Sequence, residues 1–469
     1  MQVPILKGIF TDDSGEYRSR YPRNMVPVPK AQGVSNGYLR PAEGINHFAD
    51  VSGVDRGGIN WNGQLYRVTG SHFNHISSDG VVTYIGDVGD NGGNVSFTYS
   101  FDYLALASDE KLYLYDGNTL AQVTDQDLGV ALDVVWIDGY FLTTDGEFVV
   151  ATDLLDPFSV APFRYGSSEV DPDPIVGIKK IRNELAVINR YSIEYFDNVG
   201  GTVNSFPFQR ISGAEVQRGC VGTHASAVFN DALAFIGGRL NEEHAIWIGS
   251  AGTSVKLSTR EVDLKLREFT EQELSRVIVE ARRFRNHNFL YIHLPNETLV
   301  FDATASEEMG QKVWHTLDSG RLTPERYKAH NFVFVYEKWV AGDPTGDRIG
   351  CMVDDISHHY GEVIGWDFGT LIIYNQARGA LFHEIKLVGL TGRAALGDDP
   401  HIMTRHSDDG VHWSEYRRKS VGKRGDRSRD ITWYRQGRMR ETRLQEFSGT
   451  SDAHISVSRL DMVIEGLAH

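Results

Sequence analysis

Apolar residues in this chain fall in short runs, alternating or continuous, and each run is cut off by a turn signal. Candidate strands lie at 64–69, 81–85, 103–107, 111–115, 134–137, 147–151, 175–181, 185–189, 192–196, 227–236, 245–249, 289–294, 298–301, 331–336 and 362–373. Between them stand Trp61-Asn62-Gly63, Asp79-Gly80, Asp116-Gly117-Asn118, Asp138-Gly139, Asp145-Gly146 and Asn198-Val199-Gly200-Gly201. Gly, Asn and Asp supply the backbone angles that tight hairpins need. One unit repeats. Leu112-Tyr113-Leu114-Tyr115-Asp116 returns in altered form as Ile193-Glu194-Tyr195-Phe196-Asp197 and as Thr298-Leu299-Val300-Phe301-Asp302. The recurring Asp reads as a turn residue of a repeated β-unit rather than as a catalytic acid.

Strand pairs recur roughly every 40–55 residues, the period of four-stranded sheets set in a ring without exposed edges. The pattern predicts an all-β protein with a β-propeller of about six blades over 51–378. A pair of stacked β-sandwiches is the alternative. Residues 1–50 read as an extended arm or platform, because the prolines of Tyr21-Pro22-Arg23-Asn24-Met25-Val26-Pro27-Val28-Pro29 hold the chain out of helix. Residues 379–469 read as a further β-domain that contributes to the platform, with strands at 382–388, 431–434 and 454–464. One short helix is expected at Thr270-Glu271-Gln272-Glu273, a capping box followed by Leu274, Val277, Ile278 and Ala281 on one face.

Composition fits this picture: 469 residues with 41% hydrophobic, 23% charged and 48 glycines. Only Cys220 and Cys351 occur, which excludes a disulfide framework and points to folding in a reducing compartment. The first seven residues lack a signal-peptide core, and no apolar run is long enough for a membrane helix. A soluble protein made in a cytoplasm, with no membrane insertion, is the expectation.

Charge is unevenly placed. The net charge is −16, yet residues 417–443 hold eleven Lys or Arg against Asp426, Asp430 and Glu441, a local balance of +8. Arg417, Arg418, Lys419, Lys423, Arg424, Arg427 and Arg429 lead this cluster. It suits an acidic protein surface met by Arg forks, or phosphate with Trp433 and Tyr434 as stacking groups, or a solvated hairpin that binds nothing. The overall acidity argues against tight sequence-independent grip on nucleic acid.

Enzyme signatures are weak. Ser407-Asp408-Asp409-Gly410-Val411-His412-Trp413 is similar to the Asp-box turn of sialidase-like propellers but is one residue short, and reads as a hairpin turn. Asp354-Asp355-Ile356-Ser357-His358-His359 reads as a loop, since neighbouring strand residues point to opposite faces and rarely share an ion. His224, His244 and His287 sit beside apolar strands, as satisfied histidines do. No zinc, EF-hand, Walker A or nucleophile-elbow pattern occurs. The sequence assigns no catalytic residue, no metal site and no cofactor.

Several strings resemble one family, the tail accessory factor of short-tailed bacteriophages, also called the packaged-DNA stabilisation protein, tail nozzle or tail hub. They are Tyr21-Pro22-Arg23-Asn24-Met25, Ser35-Asn36-Gly37-Tyr38-Leu39-Arg40-Pro41 ending at Gly44-Ile45, and Ile175-Val176-Gly177-Ile178. Ser192-Ile193-Glu194-Tyr195-Phe196, Val216-Gln217-Arg218-Gly219, Ile292-His293-Leu294-Pro295 and Leu299-Val300-Phe301-Asp302-Ala303 follow in order. The capped helix at Thr270 matches as well, and residues 340–430 match less. The resemblance implies a non-enzymatic virion component, assembled in the host cytoplasm and resident in the tail. It implies a homo-oligomer, a hexamer, below the portal and its adaptor or connector ring. It implies further partners: a tail needle or plug protein, a tailspike or tail fibre, and genomic DNA that passes without sequence-specific binding. The family fold is a β-propeller with platform elements. On that reading an acidic lining lets DNA slide, the basic cluster sits at a protein joint, and Tyr21, Pro22, Asn24, Gly37, Tyr38, Leu39 and Arg40 mark the family arm. The competing class is a propeller glycosidase or lyase, or a glycan-binding module, acting on cell-surface polysaccharide.

Overall fold

The computed structural model describes residues 21–30, 35–154, 156–200, 205–375, 378–394 and 397–467. The start of the expected arm, residues 1–20, and Gly201 of one predicted turn lie outside the described residues. Four-stranded antiparallel sheets follow one another along the chain at 55–87, 96–122, 133–167, 175–210, 219–256 and 278–317. In the fifth, the first strand is interrupted, so Gly219–Cys220 and Ser226–Phe229 both pair with Ala232–Gly238. A seventh sheet takes its first three strands from 330–353 and its fourth from the N-terminal strand Gly44–Asp50. First strands of successive sheets adjoin, and His330–Val335 of the seventh returns to Asp55–Trp61 of the first. The ring is closed. This is a β-propeller, with seven blades among the described residues where the sequence pattern suggested about six. The extra blade was hidden because its fourth strand, Gly44–Asp50, comes from some 300 residues away, inside the segment 1–50 that the sequence pattern assigned to an extended arm.

The repeated strand-and-Asp unit occupies one position, the third strand of the second, fourth and sixth blades. Its Asp does not keep one role. Asp116 Oδ1 accepts the backbone N–H groups of Asn118 and Thr119 in a turn. Asp197 stays in the strand opposite Gln209. Asp302 is buried, where it accepts from the backbone of Ala305 to cap a helix and meets Nδ1 of His287.

The helix expectation also needs correcting. Among the described residues three short helices are present: α1 (Arg260–Leu266), α2 (Glu271–Leu274) and α3 (Ala303–Met309). The capping box at Thr270 is formed, but α2 is one turn long. Val277-Ile278-Val279 are β-branched, and Ile278–Phe284 pairs with His287–His293 as the first strand of the sixth blade, so tertiary pairing overrides the helical spacing.

Beyond the ring, two sheets face each other as a sandwich. One carries Met25–Pro29, Gly37–Pro41, Ser456–Gly466, Ala380–Leu390 and Ile431–Met439 in that order. The other carries Trp366–Gly369, Thr442–Gly449, His401–Ser407 and Arg417–Ser420, with Ile373–Tyr374 also on Thr442–Gly449. Met25, Leu39, Trp366, Phe382, Trp433, Phe447 and Leu460 fill the space between. The strand read over 362–373 is therefore split: Glu362–Val363 stays with the seventh blade and Trp366–Gly369 opens the sandwich. Gly365 lies at the crossover, where a Cβ would stand 2.0 Å from the carbonyl oxygen of Arg321.

Candidate functional site: the domain joint and the basic edge

Family-type residues of the arm tie the ring to the sandwich. Asn24 has φ of +52°, a conformation Asn tolerates better than most residues, and it turns the chain so that both its neighbours bond. The backbone of 22–24 exchanges hydrogen bonds with Thr316 of the sixth blade and Asp367 of the sandwich. The Asn24 side chain donates to the carbonyl of Gly365 at 2.7 Å and accepts from the amide of Asp318 at 3.0 Å. Arg23, which the sequence reading left without a role, donates Nε to Asp367 at 2.6 Å and Nη1 to both oxygens of Asp318 at 3.1 Å. Burial pushes the Asp318 carboxyl up to about 6, because the cation it uses is shared with Asp367. Tyr21 is buried, with its hydroxyl 2.5 Å from that of Thr259. Pro22 is buried beside it. Leu39 enters the sandwich core, Gly37 and Tyr38 lie on the same strand, and Arg40 pairs with Asp354 at 2.7 Å.

The basic cluster lies where an edge of each sandwich sheet meets the other. Arg417–Ser420 ends one sheet and Ile431–Met439 ends the other, and the two strands adjoin. Arg417, Arg418, Lys423, Arg424, Arg427 and Arg429 are exposed and Lys419 is half-buried. Arg429 approaches Asp426 at 4.0 Å, while Asp430 is taken by Lys386 at 2.9 Å. Charged edges also block unwanted strand addition. Two members of the sequence reading drop out. Trp433 is buried with its indole N–H on the carbonyl of Arg417, so it is no stacking platform. Arg443 is buried over Phe382, bonded to Gln445 and to the carbonyl of Gln436, and burial lowers it to about 10. Strand alternation carried the signal, since Trp433 and Tyr434 had to face opposite ways.

Opposite in sign stands the first part of the ring. Residues 51–174 hold 19 Asp or Glu against 4 Lys or Arg. The first three blades thus carry a charge of −15, nearly the whole net charge of the chain.

Among the described residues, side chains of blades that are not neighbours meet across the centre of the ring. Nε2 of His224, from the fifth blade, lies 3.2 Å from the carbonyl oxygen of Asn94 at the start of the second. The side chains of Asn94 and Asn331 of the seventh blade bond each other at 3.0 and 3.1 Å. Asn331 also donates to Asp55 at 2.9 Å. Burial holds the His224 imidazole near 4, hence neutral at pH 7.

A cleft of about 620 Å³ runs between α1 and the sandwich. Three of its carboxylates pair with cations, Glu297 with Lys265 at 2.5 Å, Asp367 with Arg23, and Glu446 with Arg405 at 2.8 Å, while Glu261 accepts from the Tyr21 hydroxyl at 3.2 Å and Glu268 faces solvent. Ser407–Trp413 is a braced turn, in which Asp409 accepts the N–H groups of Val411 and His412. The 354–359 segment disperses, with Asp354 on Arg40 and His359 Nδ1 on Ser319. His244 lies beside Arg190 and Glu271, and His287 beside Asp302. No group of three metal-ligating side chains occurs among the described residues, and no helix among them is long and apolar enough to cross a membrane.

Comparison with known proteins matches both parts of this fold. The family described as "Bacteriophage P22 Gp10, beta-propeller" covers residues 1–357, and "Bacteriophage P22 Gp10, beta-sandwich" covers residues 365–465. The chain belongs to the bacteriophage P22 Gp10 family. A curated relative, "Tail hub protein gp10" of Salmonella phage P22, is 28% identical over 461 residues, 94% of either chain. Among solved structures, the N-terminal domain of Nup159 is 8% identical with a TM-score of 0.42, covering 72% of this chain and 99% of that one. The Pan2 WD40 domain of Neurospora crassa is 9% identical with a TM-score of 0.41, covering 66% and 95%. Likeness that loose carries no inference about this family member.

Proposed function

We propose that this protein is a non-enzymatic structural subunit of the tail hub of a short-tailed bacteriophage, where it extends the DNA channel below the portal and its adaptor ring. The observation that carries the reading is the match to the P22 tail hub protein through both the ring and the sandwich, over 94% of each chain. A ring centre crossed by Asn94, His224 and Asn331 supports a channel bounded by several copies rather than one threaded through a single ring. A homo-oligomer, a hexamer on family resemblance, meets that need. The acidic first blades suit its lining, because they repel phosphate and let DNA slide. The basic edge at 417–429 suits an acidic face of the connector or of a tailspike. In this reading the hub retains packaged DNA together with a needle or plug protein and passes it at ejection, without cofactor or metal.

Imaging a mixture of the purified protein and its portal–adaptor connector tests this. A ring of copies below the connector is expected, and it should be lost or sparse with Arg417, Arg418, Lys423 and Arg424 all changed to Ala. Normal assembly of that variant would sink the docking role of the edge. A lone protein that cleaves polysaccharide would sink the structural role altogether.

A further inference from the structure

Away from the joint and the basic edge, a second pocket of about 440 Å³ opens where the arm meets the sandwich. Strand Gly37–Pro41 pairs with Ser456–Gly466 through Leu39 and Val457 alone among the described residues, which leaves a gap between them. Lys30, Arg40, Arg285 and Arg393 line the gap, and no carboxylate does. Asp354, outside the lining, takes Arg40 at 2.7 Å and also Arg285. Lys30 and Arg393 pair with no carboxylate among the described residues. Positive charge is therefore in excess, brought together by three separate elements: the arm, the first hairpin of the sixth blade and the loop after Ala380–Leu390.

Two further observations point to a ligand. His454 lines the pocket, and its Nδ1 is buried without a hydrogen-bond partner, an unmet polar atom beside the cations. Tyr38, Val388 and Leu390 form an apolar wall beside the cations. A carboxylate offers two oxygens in one plane, whereas a phosphate offers oxygens in several directions to cations converging from three sides. The volume exceeds what a bare phosphate needs and lies in the range of small organic ligands.

We propose that this pocket binds a phosphate group carried on a nucleotide-sized body, with Lys30, Arg285 and Arg393 on its oxygens and Tyr38 against the body. The proposal does not depend on the tail reading. His454 supports it: burial, Arg393 and Arg40 hold the imidazole below its ordinary value against the pull of Asp354 and Asp355. A bound phosphate would reverse the local balance and raise it. The phosphate could come from a free nucleotide or from the end of a nucleic-acid strand, and the two are separable.

Calorimetric titration of thymidine monophosphate, thymidine and a 5′-phosphorylated oligothymidylate into the full chain tests the proposal. The monophosphate should bind and thymidine should not. Changing both Lys30→Ala and Arg393→Ala, two exposed side chains, should weaken binding by about tenfold or more without moving the melting temperature. Lys30→Arg with Arg393→Lys should restore it. The His454 imidazole resonance should shift with phosphate-bearing probes alone. Tighter binding of the oligothymidylate supports a nucleic-acid source, and equal or weaker binding supports a free nucleotide. No binding of either phosphate-bearing probe would overturn the proposal. So would an affinity unchanged in the double Ala variant, or a Glu-Glu dipeptide that binds as tightly as the monophosphate.

Discussion

Arg23 holds two carboxylates that belong to different halves of the molecule, Asp318 at the end of the sixth blade and Asp367 in the sandwich. Burial alone would depress the guanidinium, and the two carboxylates more than offset it. The shared cation is not enough for Asp318, whose carboxyl stands at about 6 against an ordinary 3.8. A carboxyl raised on folding binds its proton more tightly in the native state, so its contribution to stability is full below about pH 4 and is lost as pH rises toward 6. The shift corresponds to about 3 kcal/mol. Melting temperatures measured from pH 4 to 7 should fall more steeply in the native protein than in Asp318→Asn; parallel profiles would mean that Asp318 ionises normally. None of this was legible in the sequence. The string Tyr21-Pro22-Arg23-Asn24 announced an extended segment through its proline, but the partners of Arg23 lie about 300 residues away and leave no local trace. Trp433 was misjudged for a different reason: aromatic next to basic residues looked like a stacking surface until alternation put the indole inside.

At the scale of elements, the strands most easily read were those rich in β-branched and aromatic residues between clear turn signals. Gln64–Thr69, Lys111–Tyr115 and Ile175–Ile181 match their expected bounds residue for residue. The first strands of blades were harder. Asp55–Trp61 carries Gly57 and Gly58, and Ser96–Tyr99 is short and polar, because these strands approach the crowded axis, where bulky side chains would collide. Gly44–Asp50 was missed outright; Asn46, His47 and Asp50 interrupt its apolar pattern, yet it is the strand that closes the ring. Asn46 lies directly across from Cys351 in that closing pair. An Asn46→Cys variant should therefore form a disulfide with Cys351 on mild oxidation. A loop of that length would add up to about 5 kcal/mol. A non-reducing gel and melting curves with and without reductant would check it, and failure to cross-link would contradict the register.

For the molecule as a whole, the propeller class was legible from the spacing of strand pairs, whereas the number of blades was not, because a blade assembled from both ends of the ring has no single address in the chain. Charge was legible at one end only. The basic run at 417–443 is contiguous, but the −15 of the first three blades is scattered one or two acids per turn. Such a bipolar surface should bind exchangers of either sign. At low salt and pH 7 the native protein should be retained on a cation exchanger despite its net charge of −16, and the Arg417, Arg418, Lys423, Arg424 quadruple Ala variant should flow through. Flow-through of both proteins would show that the edge is electrostatically masked.

The closing strand has a consequence for how the protein is made. Blades one to six can form from local hairpins as the chain emerges, but Gly44–Asp50 must wait for Arg348–Val353, its ladder partner. At ordinary rates of synthesis that delay is roughly 15–60 s. The arm strand Gly37–Pro41, already paired with Met25–Pro29, waits longer still for its other neighbour, Ser456–Gly466. During that interval two nascent strands stand with edges awaiting a partner on the ribosome, next to the same strands on neighbouring ribosomes of the same message. A neighbour's ladder could accept them in place of their own, so the step most exposed to exchange between chains is the last one of translation.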